Sequence, residues 1–295
     1  MALARTLTFQ AVDDPAGVEV RDAQGAWLAT FTNGARTVRL RGATRTFSEP
    51  TAESVTHATW VRTLIDPFDG TVDDEWLSRA LDANRSSVPD ILAISMQYIV
   101  GAPPILDGDL QIAGDASYGP PTGKTREEGS DFYDYLGIRW TDPDGKTHKP
   151  REDQLGCLDC SGFMRMTWGY RDNLSASRIP LSLTPLEGSL PRRAVQICDH
   201  GPGVVVIANA GTRPRDLSAL KVGDLVFFDA DPNDGPAVDH VGMYLGRDAR
   251  HQRRFISSRK SADGPTFGDF RHASTLDGDP ETDLYTRSFR AVRRL

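Results

Sequence analysis

The sequence lacks any apolar run close to the roughly 18 residues that a membrane-spanning helix requires. Its opening, Met1-Ala2-Leu3-Ala4-Arg5, also lacks the apolar stretch of a secretory signal. We therefore expect no membrane span, and either residence inside the cell or a leader that this sequence does not carry. Cysteine is scarce. Cys157, Cys160 and Cys198 are too few for a disulfide scaffold, and their odd number leaves at least one thiol unpaired within the chain. Lysine is rarer still among the cations: Lys124, Lys146, Lys149, Lys221 and Lys260 stand among 34 basic residues, against 41 acidic ones. The net charge of −7 argues against attraction to phosphate backbones, so nucleic acid is not an expected partner.

What is present is enough for a globular chain. The 295 residues are 39% hydrophobic, which allows one large domain or two smaller ones with a sizeable core. The 27 glycines and 19 prolines point to many loops and argue against a helical bundle. Short strands are expected at 18–20, 27–31 and 37–40, with turns at Asp22-Ala23-Gln24-Gly25 and Asn33-Gly34, the latter a type I′ hairpin signal. Residues 1–66 thus read as a small β unit, accessory or binding in role, closed by the turn Asp66-Pro67-Phe68-Asp69-Gly70.

Residues 67–295 read as a second unit. Helices are expected at 74–83, 89–100, 159–171 and 190–198. A long insertion, 105–156, shows little periodicity and reads as surface loops, of which 118–156 lines or covers a cleft. Strands follow at 204–208, 224–228, 240–245, 254–258 and 288–292. The end of the chain thus reads as sheet.

Chemistry concentrates in Leu158-Asp159-Cys160-Ser161-Gly162-Phe163, where a thiol sits at the passage from loop to helix. Free N–H groups and partial positive charge at a helix start favour thiolate, so Cys160 reads as a nucleophile with a depressed pKa. Its base is His240 in Asp239-His240-Val241-Gly242-Met243-Tyr244-Leu245-Gly246. Alternation directs Val241, Met243 and Leu245 to one face and His240, Gly242 and Tyr244 to the other. Gly242 then leaves space beside the imidazole, and Asp239 points away from it. The other histidines, His57, His148, His200, His251 and His272, have no comparable setting.

The ordered motifs D-C-S-G-F at 159–163, L-K-V-G-D-L-V-F-F at 220–228 and H-V-G-M-Y-L-G at 240–246 resemble the NlpC/P60 family of cell-wall cysteine peptidases. The resemblance covers roughly residues 86–295 and is densest over 155–260. It implies a papain-like α+β fold, with the helix-borne Cys packed on an antiparallel sheet that supplies the His. It also implies a third polar residue on the next strand, usually His in F-I-H. Here Phe255-Ile256-Ser257 puts Ser257 at that position, with Ser258 facing away. The family's upstream Tyr falls on Pro104, so Tyr118 is assigned in its place, with Tyr133 and Tyr135 as alternatives.

The expected activity is hydrolysis of an amide in a peptidoglycan stem peptide, typically between D-Glu and a diamino acid, with a muropeptide as substrate and no metal or cofactor. By resemblance the protein acts in the cell wall or after secretion. Two other readings stand beside it: a wall- or partner-binding protein with weakened catalysis, and a thiol hydrolase acting on another amide. Cys157-Leu158-Asp159-Cys160 forms a C-x-x-C without a second pair, so Cys157 is read as buried or joined to Cys198 rather than as a metal or redox ligand. The stretch 229–235 begins like a calcium loop but lacks the turn glycine and closing glutamate.

Overall fold

The computed structural model describes residues 7–174, 177–233 and 235–295. The opening segment read for a signal, and Asp234 of the 229–235 stretch, lie outside these residues. Five antiparallel strands, β1 (Thr8–Asp13), β2 (Ala16–Arg21), β3 (Trp27–Thr32), β4 (Thr37–Phe47) and β5 (Val55–Thr63), pair in sequence order. Asn33-Gly34 does not make the expected two-residue turn. Gly34 alone has positive φ (+78°), and four residues separate the strands because Gly34 N–H is bonded to Phe68 O at 2.9 Å.

Helix α1 (Asp74–Arg85) begins at Asp73, whose carboxylate accepts the N–H groups of Glu75 and Trp76. Trp76, Leu77, Ala80 and Leu81 form one stripe and pack on Val20, Ala29, Phe31, Val38 and Leu40, so one face of the sheet is closed by a helix beyond residue 66. Phe68 joins that core with its ring 4.9 Å from Phe31.

The expected helix over 89–100 is shorter. It comprises α2 (Ile91–Ser95) and a 3-10 turn, Met96–Tyr98. The insertion holds three two-stranded hairpins, β6–β7 (Ile105–Asp107, Leu110–Ala113), β8–β9 (Pro121–Thr122, Thr125–Arg126) and β10–β11 (Trp140–Thr141, Thr147–His148), with α3 (Phe132–Leu136) between the last two. Helix α3 has a capping box, Asp131 with Asp134, and ends at Gly137 in the left-handed region. With five residues it is too short to show a period in sequence.

Helix α4 (Cys160–Arg165) runs into a π turn, Met166–Tyr170, and α5 (Ala194–His200) starts later than expected. The second sheet contains β12 (Val204–Ile207), β13 (Leu225–Phe228), β14 (His240–Arg247), β15 (Arg253–Arg259), β16 (Gly264–Thr266) and β17 (Phe289–Arg294), in the antiparallel order β12-β17-β13-β14-β15-β16. The short α6 (Leu284–Ser288) precedes β17. Leu225, Phe227, Val241, Met243, Leu245 and Ile256 meet Phe163 and Met164 of α4 in the main core. Val226, Phe228, Tyr244 and Phe255, on the opposite face, form a second core with Tyr285 and Phe289. Alternation along β13 and β14 is therefore as the sequence implies.

The two sheets are fastened together by His57. Its Nε2 lies 2.8 Å from Leu245 O, while its Nδ1 accepts Thr59 N–H. A carbonyl can only accept, so the ring carries its proton on Nε2.

Candidate active site

Asp159 positions Cys160. Its carboxylate caps α4 by accepting Gly162 N–H at 2.8 Å, and it also accepts Gly129 N–H at 3.0 Å. Arg192 grips the same group from the other side, with Nη2 2.6 Å from Oδ2. Burial opposes the charge on Asp159, but Arg192 and the two N–H groups hold it below the usual carboxylate range. A further buried pair, Arg165 with Asp131 at 3.0 Å, ties α4 to the start of α3. Gly162 is required by that approach: a Cβ there would lie 2.2 Å from the backbone oxygen of Ser130.

The sulfur of Cys160 is seated on the backbone around His240. It lies 3.9 Å from Asp239 O and receives a hydrogen bond from Val241 N–H. Cys160 and His240 line one cavity of about 920 Å³, together with Tyr118, Glu128, Arg192, Arg259, Lys260 and Tyr285. The imidazole is 8% exposed, packs 5.3 Å from the Tyr285 ring, and has no partner at Nε2 among the described residues.

The expectation of a depressed thiol pKa does not hold. Burial, then the neighbouring Asp159 charge, push the Cys160 thiol up to about 12. These outweigh the partial charge of the helix start, whose capping carboxylate adds an anion beside the sulfur. Burial and the nearby Arg259 guanidinium lower His240 to about 3. The thiol and the imidazole that line this cavity are therefore both neutral at rest.

Ser257 is completely buried on β15, and its hydroxyl has no partner among the described residues. No hydrogen bond joins it to His240. A Cβ on Gly242 would lie 3.1 Å from Ser257 Cβ and 2.8 Å from the Phe255 ring, so the space beside Gly242 is filled by β15 rather than left to the imidazole. Ser258 faces the other way and donates to Leu158 O. Asp239 also turns aside, accepting Ala230 and Asp231 N–H groups.

Tyr118 is brought to the cavity and buried, with its hydroxyl 3.3 Å from Glu128 Oε1. Burial, then the Cys160 and acidic charges, raise it well above the ordinary tyrosine value. Tyr135 instead donates to Gly114 O, and Tyr133 stacks on Trp140. Part of the insertion does border the cavity: Glu128 pairs with Lys260 at 2.6 Å, and Arg126 pairs with Asp263.

All three thiols are free and buried, so Cys157 and Cys198 are not joined. Burial, its largest influence, pushes Cys157 up to about 11. No cluster of three or more His, Cys, Asp or Glu among the described residues is arranged to hold a metal ion.

The sequence model of the NlpC/P60 family matches residues 144–263, a span that contains Cys160, His240 and Ser257. Over residues 144–263 the chain is similar to the NlpC/P60 family. No curated protein matches the chain. Members of the family are hydrolases, generally cysteine peptidases, and the mixed helices and antiparallel sheets described above are consistent with an α+β domain of that kind.

Sequence reasoning missed Arg192, Arg259 and Tyr285. Each reaches the cavity from a segment far along the chain from Cys160 or carries no motif of its own. Only Arg259 had a readable signal: two residues after Ser257 on a regular strand, it must share that residue's face.

Proposed function

We propose that the NlpC/P60 domain is a cysteine peptidase of peptidoglycan stem peptides, with Cys160 as nucleophile and His240 as base, in a papain-like arrangement. The observation that carries this reading is the seating of the sulfur against the backbone of Asp239 and Val241 inside a cavity also lined by His240. With both groups neutral at rest, attack and proton transfer proceed together. The sulfur forms a bond to the amide carbon as its proton passes to the imidazole. The tetrahedral oxyanion is met by the Cys160 N–H, at the helix start, and by the Tyr118 hydroxyl. The imidazolium returns its proton to the leaving nitrogen as the C–N bond breaks. Water, deprotonated by His240, then cleaves the thioester and restores the thiol.

Ser257 is assigned the third position, where its hydroxyl can accept an imidazole N–H and fix the tautomer. The scissile bond follows the family resemblance: D-Glu to the diamino acid. Such a substrate implies action in the cell wall. Cys160→Ala should abolish release of products from muropeptides while leaving the melting temperature near that of the wild type. Retained turnover would refute the assignment.

The high thiol and low imidazole pKa favour a second reading, a wall-binding protein with weak catalysis. Labelling by a thiol-directed reagent under mildly acidic conditions separates the two. Rapid modification of Cys160 supports the enzyme, and slow modification at all three thiols supports the binder.

A further inference from the structure

The five-stranded sheet has a second face that α1 does not cover. Across it run Glu19, Thr30 and Arg39, joined by the registers Glu19↔Thr30 and Thr30↔Arg39. The turn before β13 closes over this polar row. Gly223, at φ +91°, approaches so near that a Cβ there would lie 2.9 Å from Val61 Cγ1. A cavity of about 440 Å³ remains between turn and sheet, lined by these three residues and by Trp27, Lys221 and Arg294 among others.

Its charges are unevenly satisfied. Arg294 is held by Asp224 at 2.7 Å, and Glu19 is paired with Arg21. Asp14 stands exposed at the rim. The Arg39 guanidinium has no hydrogen-bond or ion-pair partner among the described residues, although the residue is half-buried. Lys221 contributes a second cation from the turn, with its Nζ donating to Ser218 O at 3.3 Å. Burial, then Arg294, lower Arg39 to about 10, although Asp224 and Glu19 act the other way; burial, then Arg39 and Arg294, lower Lys221. These cations repel one another, and an anion between them would relieve that repulsion. The indole of Trp27 is fixed by its hydrogen bond to Thr30 Oγ1 at 2.9 Å and offers an apolar wall beside the cations.

We propose that this cavity is a binding site for an acidic sugar, its carboxylate or phosphate on Arg39 and Lys221 and its ring against Trp27. A planar guanidinium that no described residue holds is suited to bidentate recognition of either oxyanion. The volume falls in the range of about 300–1,000 Å³ usual for small-ligand sites. Because the site is built from the N-terminal sheet and the β13 turn, it does not depend on Cys160 chemistry.

Isothermal titration calorimetry on the full chain tests this with glucuronic acid, glucose 6-phosphate and neutral glucose, at low salt. Saturable binding of either acid, with none for glucose, is expected, and the acid that binds identifies the ligand as carboxylate or phosphate. Arg39→Gln and Lys221→Gln should each weaken it by about tenfold or more, as expected for a lost charge-assisted hydrogen bond. Cys160→Ala should bind as the wild type does. If a variant melts early, the wild-type comparison of acid with neutral sugar still decides. Failure of both acids to bind, equal binding of glucose, or undiminished binding in both folded variants would overturn the proposal.

Discussion

Acidification should destabilise this protein through His240 in a way that can be isolated from every other group. In the unfolded chain an imidazole takes up a proton below about pH 6.5. In the folded chain burial and Arg259 lower that value to about 3. Protons therefore favour the unfolded state between these limits: stability is complete above the unfolded pKa and is lost as pH falls toward the folded one. At about 1.4 kcal/mol per pH unit between the two values, the full loss is about 5 kcal/mol. Between about pH 7 and about pH 4.5, near half of it, about 2.5 kcal/mol, should already be gone.

Carboxylates titrate in the same range, so the comparison is with His240→Phe, which keeps a ring against Phe228 and Tyr285 but cannot ionise. Urea unfolding of both proteins at the two pH values gives four free energies. Their double difference should be about 2.5 kcal/mol, with the variant less sensitive to acid. A double difference near zero would refute the burial argument, because it would mean that the folded imidazole accepts a proton as readily as an exposed one. The cavity would then be wetter than its geometry implies.

Gly162→Ala should destabilise the fold by about 1–3 kcal/mol, because the new methyl meets backbone at Ser130 that cannot move without shifting α3; thermal unfolding checks this. Arg192→Met should cost about 3–5 kcal/mol in urea, since it leaves the buried Asp159 carboxylate without its cation. Ser257→Ala should leave stability unchanged or slightly raised, its hydroxyl having no protein partner among the described residues. The same variant decides whether Ser257 orients His240: muropeptide turnover within about twofold of wild type would remove it from the proposed machinery, while a fall of about tenfold or more would fit a lost tautomer-fixing bond.

Much of the site is legible in sequence because it depends on neighbours along the chain. Asp159 before Cys160 and Gly162 is a local cap, and its carboxylate accepts Gly162 N–H because Gly162 lies three positions on, in the first helical turn. The alternation from His240 to Leu245 sorts two faces, and the two cores of the second sheet follow that division. Helix α3 escapes such reading, since its five residues complete barely more than a turn. The Asn33-Gly34 turn escapes it too, because Phe68 supplies the carbonyl that shapes the loop.

The sequence by itself determined which thiol begins a helix, which histidine opens a strand, and the order of the motifs that bear them. Only the tertiary structure decided their protonation. A pKa responds to how much water every surrounding segment removes and to which charges those segments bring. Arg192 reaches Asp159 across 33 positions, and Arg259 and Tyr285 close on His240 from a neighbouring strand and from α6. Desolvation has no signature in a linear pattern, so the neutral thiol and neutral imidazole emerge only once the chain has folded around them.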